Sequence, residues 1–198
     1  MDLGCADGTL GQILKKTHGC QVVGVENNKR LVKIAKTKLD KVIFGDIDAK
    51  TTLDKIAKEP KFDVIFASAI FEHLKRPTVV VKKLSKSLKN DGFLLITLPN
   101  IAFWQIRINL LRGNFNYTDS GILDKTHLRF FTTKTALEFL KDECGLKIVR
   151  VEFEFPKTPL LHRTANLIPY FGTILESFIY RNFSNLFAYQ ILIIASPK

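Results

Sequence analysis

The residues able to do chemistry begin with the stretch Asp2-Leu3-Gly4-Cys5-Ala6-Asp7-Gly8. Gly4 and Gly8 can adopt backbone angles that a Cβ forbids, and they let a ligand approach the main chain closely. Asp2, Cys5 and Ala6 complete the turn, and a helix opened by Thr9 would direct its free N–H groups at it. Two further acids follow in order. Glu26, with Asn27 beside it, ends the apolar run Gln21–Val25, at roughly the 20-residue offset where a carboxylate accepts from two ribose hydroxyls. Asp46 follows the run Lys41–Phe44, where it can accept from an adenine amino group while Ile47 packs on the ring. Taken singly, the turn is equally an ordinary glycine-rich βα turn, and each acid is more often a solvated loop residue. The ordered set is more specific, and it points to a nucleoside-like cofactor.

Such a site needs strands that deliver these residues to one edge and helices that separate them. Apolar periodicity predicts helices over Thr9–Lys16, Asn28–Leu39, 49–58, Pro77–Lys89 (closed by Asp91-Gly92) and Thr133–Glu143 (capped by Thr132). The runs Phe62–Ala67 and Phe93–Pro99 read as buried parallel strands, and Leu146–Phe155 and Leu186–Ala195 as the last two. Strands regularly separated by helices imply an α/β doubly wound sheet with ligands at the strands' C-terminal ends. The chain reads as one domain, 1–198, with an acceptor-side insertion over 99–132 and a hydrophobic helical insertion over 156–185. The first strand reads as truncated, because only Met1 precedes Asp2.

The Asp2–Gly8 stretch resembles the glycine motif Asp-Leu-Gly-Cys-Gly-x-Gly of class I S-adenosylmethionine-dependent methyltransferases, with Ala6 in place of the middle glycine. A dinucleotide motif fits less well, since Ala6 and Thr9 stand where glycines belong. The resemblance implies a Rossmann-like seven-stranded sheet of order 3-2-1-4-5-7-6, its last strand antiparallel, and S-adenosyl-L-methionine as cofactor. It assigns cofactor contacts to Asp2, Gly4, Cys5, Ala6, Gly8, Glu26, Asn27, Asp46, Ile47 and Ser68. The stretch Ser68-Ala69-Ile70-Phe71-Glu72-His73-Leu74 is similar to that of ubiquinone-biosynthesis O-methyltransferases. Leu98-Pro99-Asn100 and Asp124-Lys125-Thr126-His127-Leu128-Arg129-Phe130-Phe131-Thr132 are similar to a group linked to bacterial surface polysaccharides and to MetW.

Methyl transfer to a hydroxyl is helped by a base that takes the proton. His127 is the leading choice, with Asp124 to orient it and Arg129 to bind an anionic acceptor group. His73 serves equally as a base or as a helix cap. Trp104, Arg107 and Tyr117 are further acceptor-side residues. Glu72 and His73 are adjacent and make a poor metal pair without other ligands, so no metal site is expected.

The net charge of +11 can draw a protein to nucleic acid or to an anionic membrane. The basic residues, mostly Lys, are scattered over helix faces, which favours solvation, and nucleic acid is not the expected partner. Three cysteines without metal-ligand spacing suggest a reduced, cytoplasmic setting. No run reaches the roughly 18 apolar residues of a membrane span. The hydrophobic 156–185 segment suits a core, a homodimer interface, or a cover for a lipid-linked acceptor at the inner membrane surface. The expected activity is O-methylation of a glycan or small hydroxylated metabolite. The alternatives are a non-catalytic MetW-like partner and a nucleic-acid methyltransferase.

Overall fold

The computed structural model describes residues 1–156, 178 and 182–198. Seven strands form one sheet: β1 (Asp2–Leu3), β2 (Val23–Glu26), β3 (Lys41–Phe44), β4 (Phe62–Ser68), β5 (Leu88–Pro99), β6 (Lys147–Glu154) and β7 (Gln190–Ser196). Their order is β3-β2-β1-β4-β5-β7-β6. The strands from β1 to β5 pair in parallel, and β7 runs antiparallel to both β5 and β6. The middle is dry: Ile65, Leu94, Ile96, Leu98, Ile191 and Ile193 are fully buried. Near-continuous apolar runs are what a sheet covered on both faces requires.

The helices start and stop for local reasons. In α1 (Thr9–His18), Gly19 closes the last turn at φ 63°. Asn28 caps α2 (Lys29–Ala35), its side-chain oxygen accepting from the Arg30 and Leu31 amides. α3 spans Lys50–Ile56, and Pro77 opens α4 (Pro77–Ser85), where its missing N–H costs nothing. α5 (Trp104–Leu111) follows β5, and α6 (Thr133–Glu138) begins in a Thr132–Thr135 capping box before widening into a π turn over Phe139–Glu143.

Several elements differ in their bounds from the sequence reading. The helix from Asn28 stops at Ala35, and the chain turns through Thr37 and Lys38, whose amides bond to Ile34 and Ala35. The helix from Pro77 ends at Ser85, since Leu88–Gly92 already belongs to β5. Gly92 permits this, because a Cβ there would meet the Phe62 carbonyl oxygen at 2.9 Å. The last strand starts at Gln190, because Ser184–Phe187 forms a helical turn. The segment proposed as a hydrophobic insertion, 156–185, lies largely outside the described residues.

Candidate active site

The C-terminal ends of β1, β2, β3 and β4 open onto a cleft of about 450 Å³, lined among others by Gly4, Glu26, Asn27, Asp46, Ile47 and Ala69. Parallel strands put every one of these residues at the same edge, which is why acids far apart in sequence meet. The turn after β1 is built from left-handed backbone: Gly4 has φ 66°, Ala6 φ 47° and Gly8 φ 79°. Ala6 is held there because its amide donates to Glu26 Oε2 at 3.0 Å. Glu26 Oε1 accepts from the Asn27 and Asn28 amides at 2.9 and 2.8 Å, and the residue is only 9% exposed. An ionised carboxylate offers about four acceptor sites. One therefore remains for a ligand hydroxyl. Asp46 Oδ1 accepts from the Asp48 amide at 2.9 Å. The second strained alanine, Ala69 at φ 50°, follows β4 and is fixed by its amide donating to the Thr97 carbonyl and hydroxyl. A glycine floor, a carboxylate with spare acceptor capacity and Ile47 beside Asp46 fit an adenosine group, in a cleft of ligand size.

A second, smaller cavity of about 170 Å³ adjoins the first and shares Ala69 and His73 with it. Its walls include Glu72, Asp124, His127 and Tyr189. The segment from the 99–132 insertion is laid against the 3-10 turn Phe71–His73, with the Leu128 and Arg129 amides donating to the Glu72 carbonyl at 2.8 and 3.2 Å. Glu72 is completely buried, and neither carboxyl oxygen has a hydrogen-bond partner among the described residues. Burial pushes its carboxyl up to about 7. The His127 imidazole is 5% exposed, and its Nε2 lies 4.0 Å from Glu72 Oε1. His127 Nδ1 is 3.0 Å from the Ile122 carbonyl oxygen. A carbonyl only accepts, so Nδ1 carries the proton and Nε2 presents its lone pair. Burial lowers the His127 pKa, which favours this neutral form. His73 packs edge-on against His127, with ring centroids 4.7 Å apart. Its Nδ1 approaches the Thr126 carbonyl and hydroxyl at 3.3 and 3.1 Å. The Thr126 hydroxyl donates to Asp124 Oδ1 at 2.6 Å, so it accepts from His73, and His73 Nε2 also keeps its lone pair.

Comparison with known proteins bears on the larger cleft. Residues 1–94, which include β1 to β4 and the cleft between them, match the family model described as a methyltransferase domain. In these residues the chain is similar to the class I S-adenosylmethionine-dependent methyltransferases. A ubiquinone biosynthesis O-methyltransferase of Bradyrhizobium diazoefficiens is 29% identical over 100 residues, covering 50% of this chain and 39% of that protein. A pavine N-methyltransferase of Thalictrum flavum is 32% identical over 104 residues, covering 48% of this chain and 28% of that one. The chain thus spans well under half the length of either curated relative. In fold, a methyltransferase dependent on S-adenosylmethionine from Archaeoglobus fulgidus superposes with a TM-score of 0.66 at 21% identity, over 98% of this chain and 83% of that one. The cofactor of this family is S-adenosylmethionine, which the cleft residues fit.

Within this methyltransferase frame the structure sorts the residues singled out in the sequence. Gly4, Glu26, Asn27, Asp46 and Ile47 line the cleft. Asp2, Cys5, Ala6 and Gly8 shape the turn without lining it. Cys5 is buried against Gly24, and a Cβ on Gly8 would meet Ala35 and Leu39, so both residues serve packing. Ser68 is hydrogen-bonded through its hydroxyl to Thr97 at 2.9 Å. On the acceptor side, His73, Asp124 and His127 line the small cavity. Arg129 instead donates to the Lys75 carbonyl, and Arg107 Nε to the Ala102 carbonyl. Trp104 packs beside Phe103, and Tyr117 stacks near Phe115 and Phe130, away from the cavity walls. Glu72 and Ala69 were missed as wall residues. Nothing in sequence announces a positive φ at an alanine or the burial of an acid on a 3-10 turn.

Proposed function

We propose that the protein transfers a methyl group from S-adenosylmethionine to a hydroxyl of a small metabolite or glycan. The observation that carries this reading is the junction of the two cavities at Ala69 and His73. One cavity suits the cofactor, and the other presents two imidazole Nε2 lone pairs and a buried carboxylate to an acceptor. When bound, the cofactor supplies an electrophilic methyl on a sulfonium. The chain's own contribution is to hold the acceptor oxygen in line and to receive its proton. His127 serves as the base in this reading: its tautomer is set by Ile122, and Glu72 stands 4.0 Å away to balance the imidazolium that forms. The cavity of about 170 Å³ admits a hydroxyl-bearing ring or chain end, so a larger acceptor would project outward.

The test is transfer of tritiated methyl from S-adenosylmethionine to a panel of phenols, hydroxy acids, sugars and matched amines. Hydroxyl acceptors that give product, with a loss of about 100-fold or more in kcat on His127→Ala, support the reading. Bound S-adenosylhomocysteine with no transfer to any acceptor would favour a non-catalytic partner that keeps the fold. Preference for the amines would overturn the hydroxyl assignment.

A further inference from the structure

Glu72, His73 and His127 converge: one donor atom from each lies within 4.8 Å of the others. We propose that these three residues bind a divalent first-row transition metal at the wall of the acceptor cavity. Two independent features point to a ligand there. Glu72 is wholly buried with both oxygens unpartnered among the described residues, although a buried polar group ordinarily finds a partner. Both imidazoles have Nδ1 committed to a main-chain carbonyl, Ile122 for His127 and Thr126 for His73, so both Nε2 lone pairs are left for a metal. This is the outer arrangement that metal-bound histidines use, the second nitrogen anchored to a carbonyl so that the ring orientation is fixed. Asp124 adds a further layer by holding the Thr126 hydroxyl beside His73.

Two imidazoles and one carboxylate suit Fe2+, Mn2+, Co2+ or Zn2+ better than the all-oxygen preference of Ca2+ or Mg2+. The set leaves coordination positions for solvent or an acceptor oxygen. Two ligands of one such ion stand roughly 3.0–3.4 Å apart at bond lengths near 2.1 Å. The 4.0 Å between Glu72 Oε1 and His127 Nε2 therefore shortens by somewhat under about 1 Å on metal entry, a side-chain adjustment. His127 is far in the chain from the adjacent Glu72 and His73, and the ligand set closes because the Leu128 and Arg129 amides tie the insertion to the Glu72 carbonyl. Binding of the ion stands independently of methyl transfer. Its role rests on the proposed activity: the ion would polarise the acceptor hydroxyl and lower its pKa so that the proton passes to solvent water, replacing His127 as direct base because Nε2 is then occupied.

The experiment titrates the full chain with Zn2+, Mn2+ and Co2+ by calorimetry, and records the visible spectrum of the Co2+ form, with neither cofactor nor acceptor present. A Cys20→Ser background removes the exposed thiol as a competing ligand. One ion per chain is expected, with Co2+ bands of nitrogen and oxygen ligation. Affinity should fall at least about 100-fold in Glu72→Gln and in His127→Asn, about 10-fold in Thr126→Val through the orientation of His73, and not at all in His18→Asn. Glu72→Gln keeps the buried shape and removes a charge, and retained S-adenosylhomocysteine binding shows that each variant is folded. No stoichiometric binding by the folded chain, or binding indifferent to Glu72 and His127, overturns the site. Because the readout is metal alone, such a failure leaves the methyl-transfer reading to its own test.

Discussion

Substitution of Glu26 by Gln separates the brace this carboxylate provides from the ribose contact proposed for it. It accepts three main-chain amides, from Ala6, Asn27 and Asn28, at 2.8 to 3.0 Å and is almost buried. A Gln carbonyl oxygen can still accept from Asn27 and Asn28, but its NH2 then faces the Ala6 N–H, donor against donor. The loss of one charge-assisted bond and the orphaning of one amide cost about 2–3 kcal/mol of stability. The ribose contact proposed for Glu26 would be a further charge-assisted bond, and its weakening by about 1.5–3 kcal/mol would lower cofactor affinity roughly 10- to 150-fold. Urea unfolding reads the first effect. Calorimetry with S-adenosylhomocysteine, at a temperature where both proteins are folded, reads the second. A variant that loses stability but binds S-adenosylhomocysteine as wild type does would refute the reasoning. Glu26 would then be a brace for the glycine turn and nothing more.

Three other outcomes follow from the same structure. Burial, opposed by the Met1 ammonium and reinforced by Glu26, raises the Asp2 carboxyl from its ordinary 3.8 to about 6. A raised acid contributes stability that is present below pH ~4 and lost as pH rises through ~6, about 3 kcal/mol in all. Asp2→Asn should flatten that part of the wild-type stability profile between pH 4 and 7, as measured by urea unfolding at each pH. Gly8→Ala should destabilise by about 1–2 kcal/mol from its left-handed φ of 79° alone, with more from contacts near 3.1 Å to Ala35 and Leu39. Its folded fraction should bind S-adenosylhomocysteine normally, because Gly8 does not line the cleft. Iodoacetamide followed by mass spectrometry should modify Cys20 alone in the native protein. Cys5 and Cys144 are buried, with thiols pushed up to about 12, and should react only after unfolding.

The cleft at the strand ends was legible in the chain because each of its signals is local. Gly4 ends one strand, Glu26 the next and Asp46 follows a third, and a parallel sheet brings successive strand ends to one edge without further instruction. Sequence pattern also placed β6 and β7 and the strand order, through the resemblance carried by Asp2–Gly8. Boundaries slipped where local pattern lost to tertiary contacts. Leu88–Gly92 joined β5 because it found Phe62 as a partner, and residues 184–187 curled instead of extending. The acceptor cavity was decided by tertiary structure. Glu72 reads as a solvated acid beside His73, and His127 as a lone histidine in an insertion. Only the docking of Leu128 and Arg129 onto the Glu72 carbonyl buries the acid and sets the two imidazoles edge to face. Burial, tautomer and convergence are properties of a contact between distant segments, and no stretch of sequence carries them by itself.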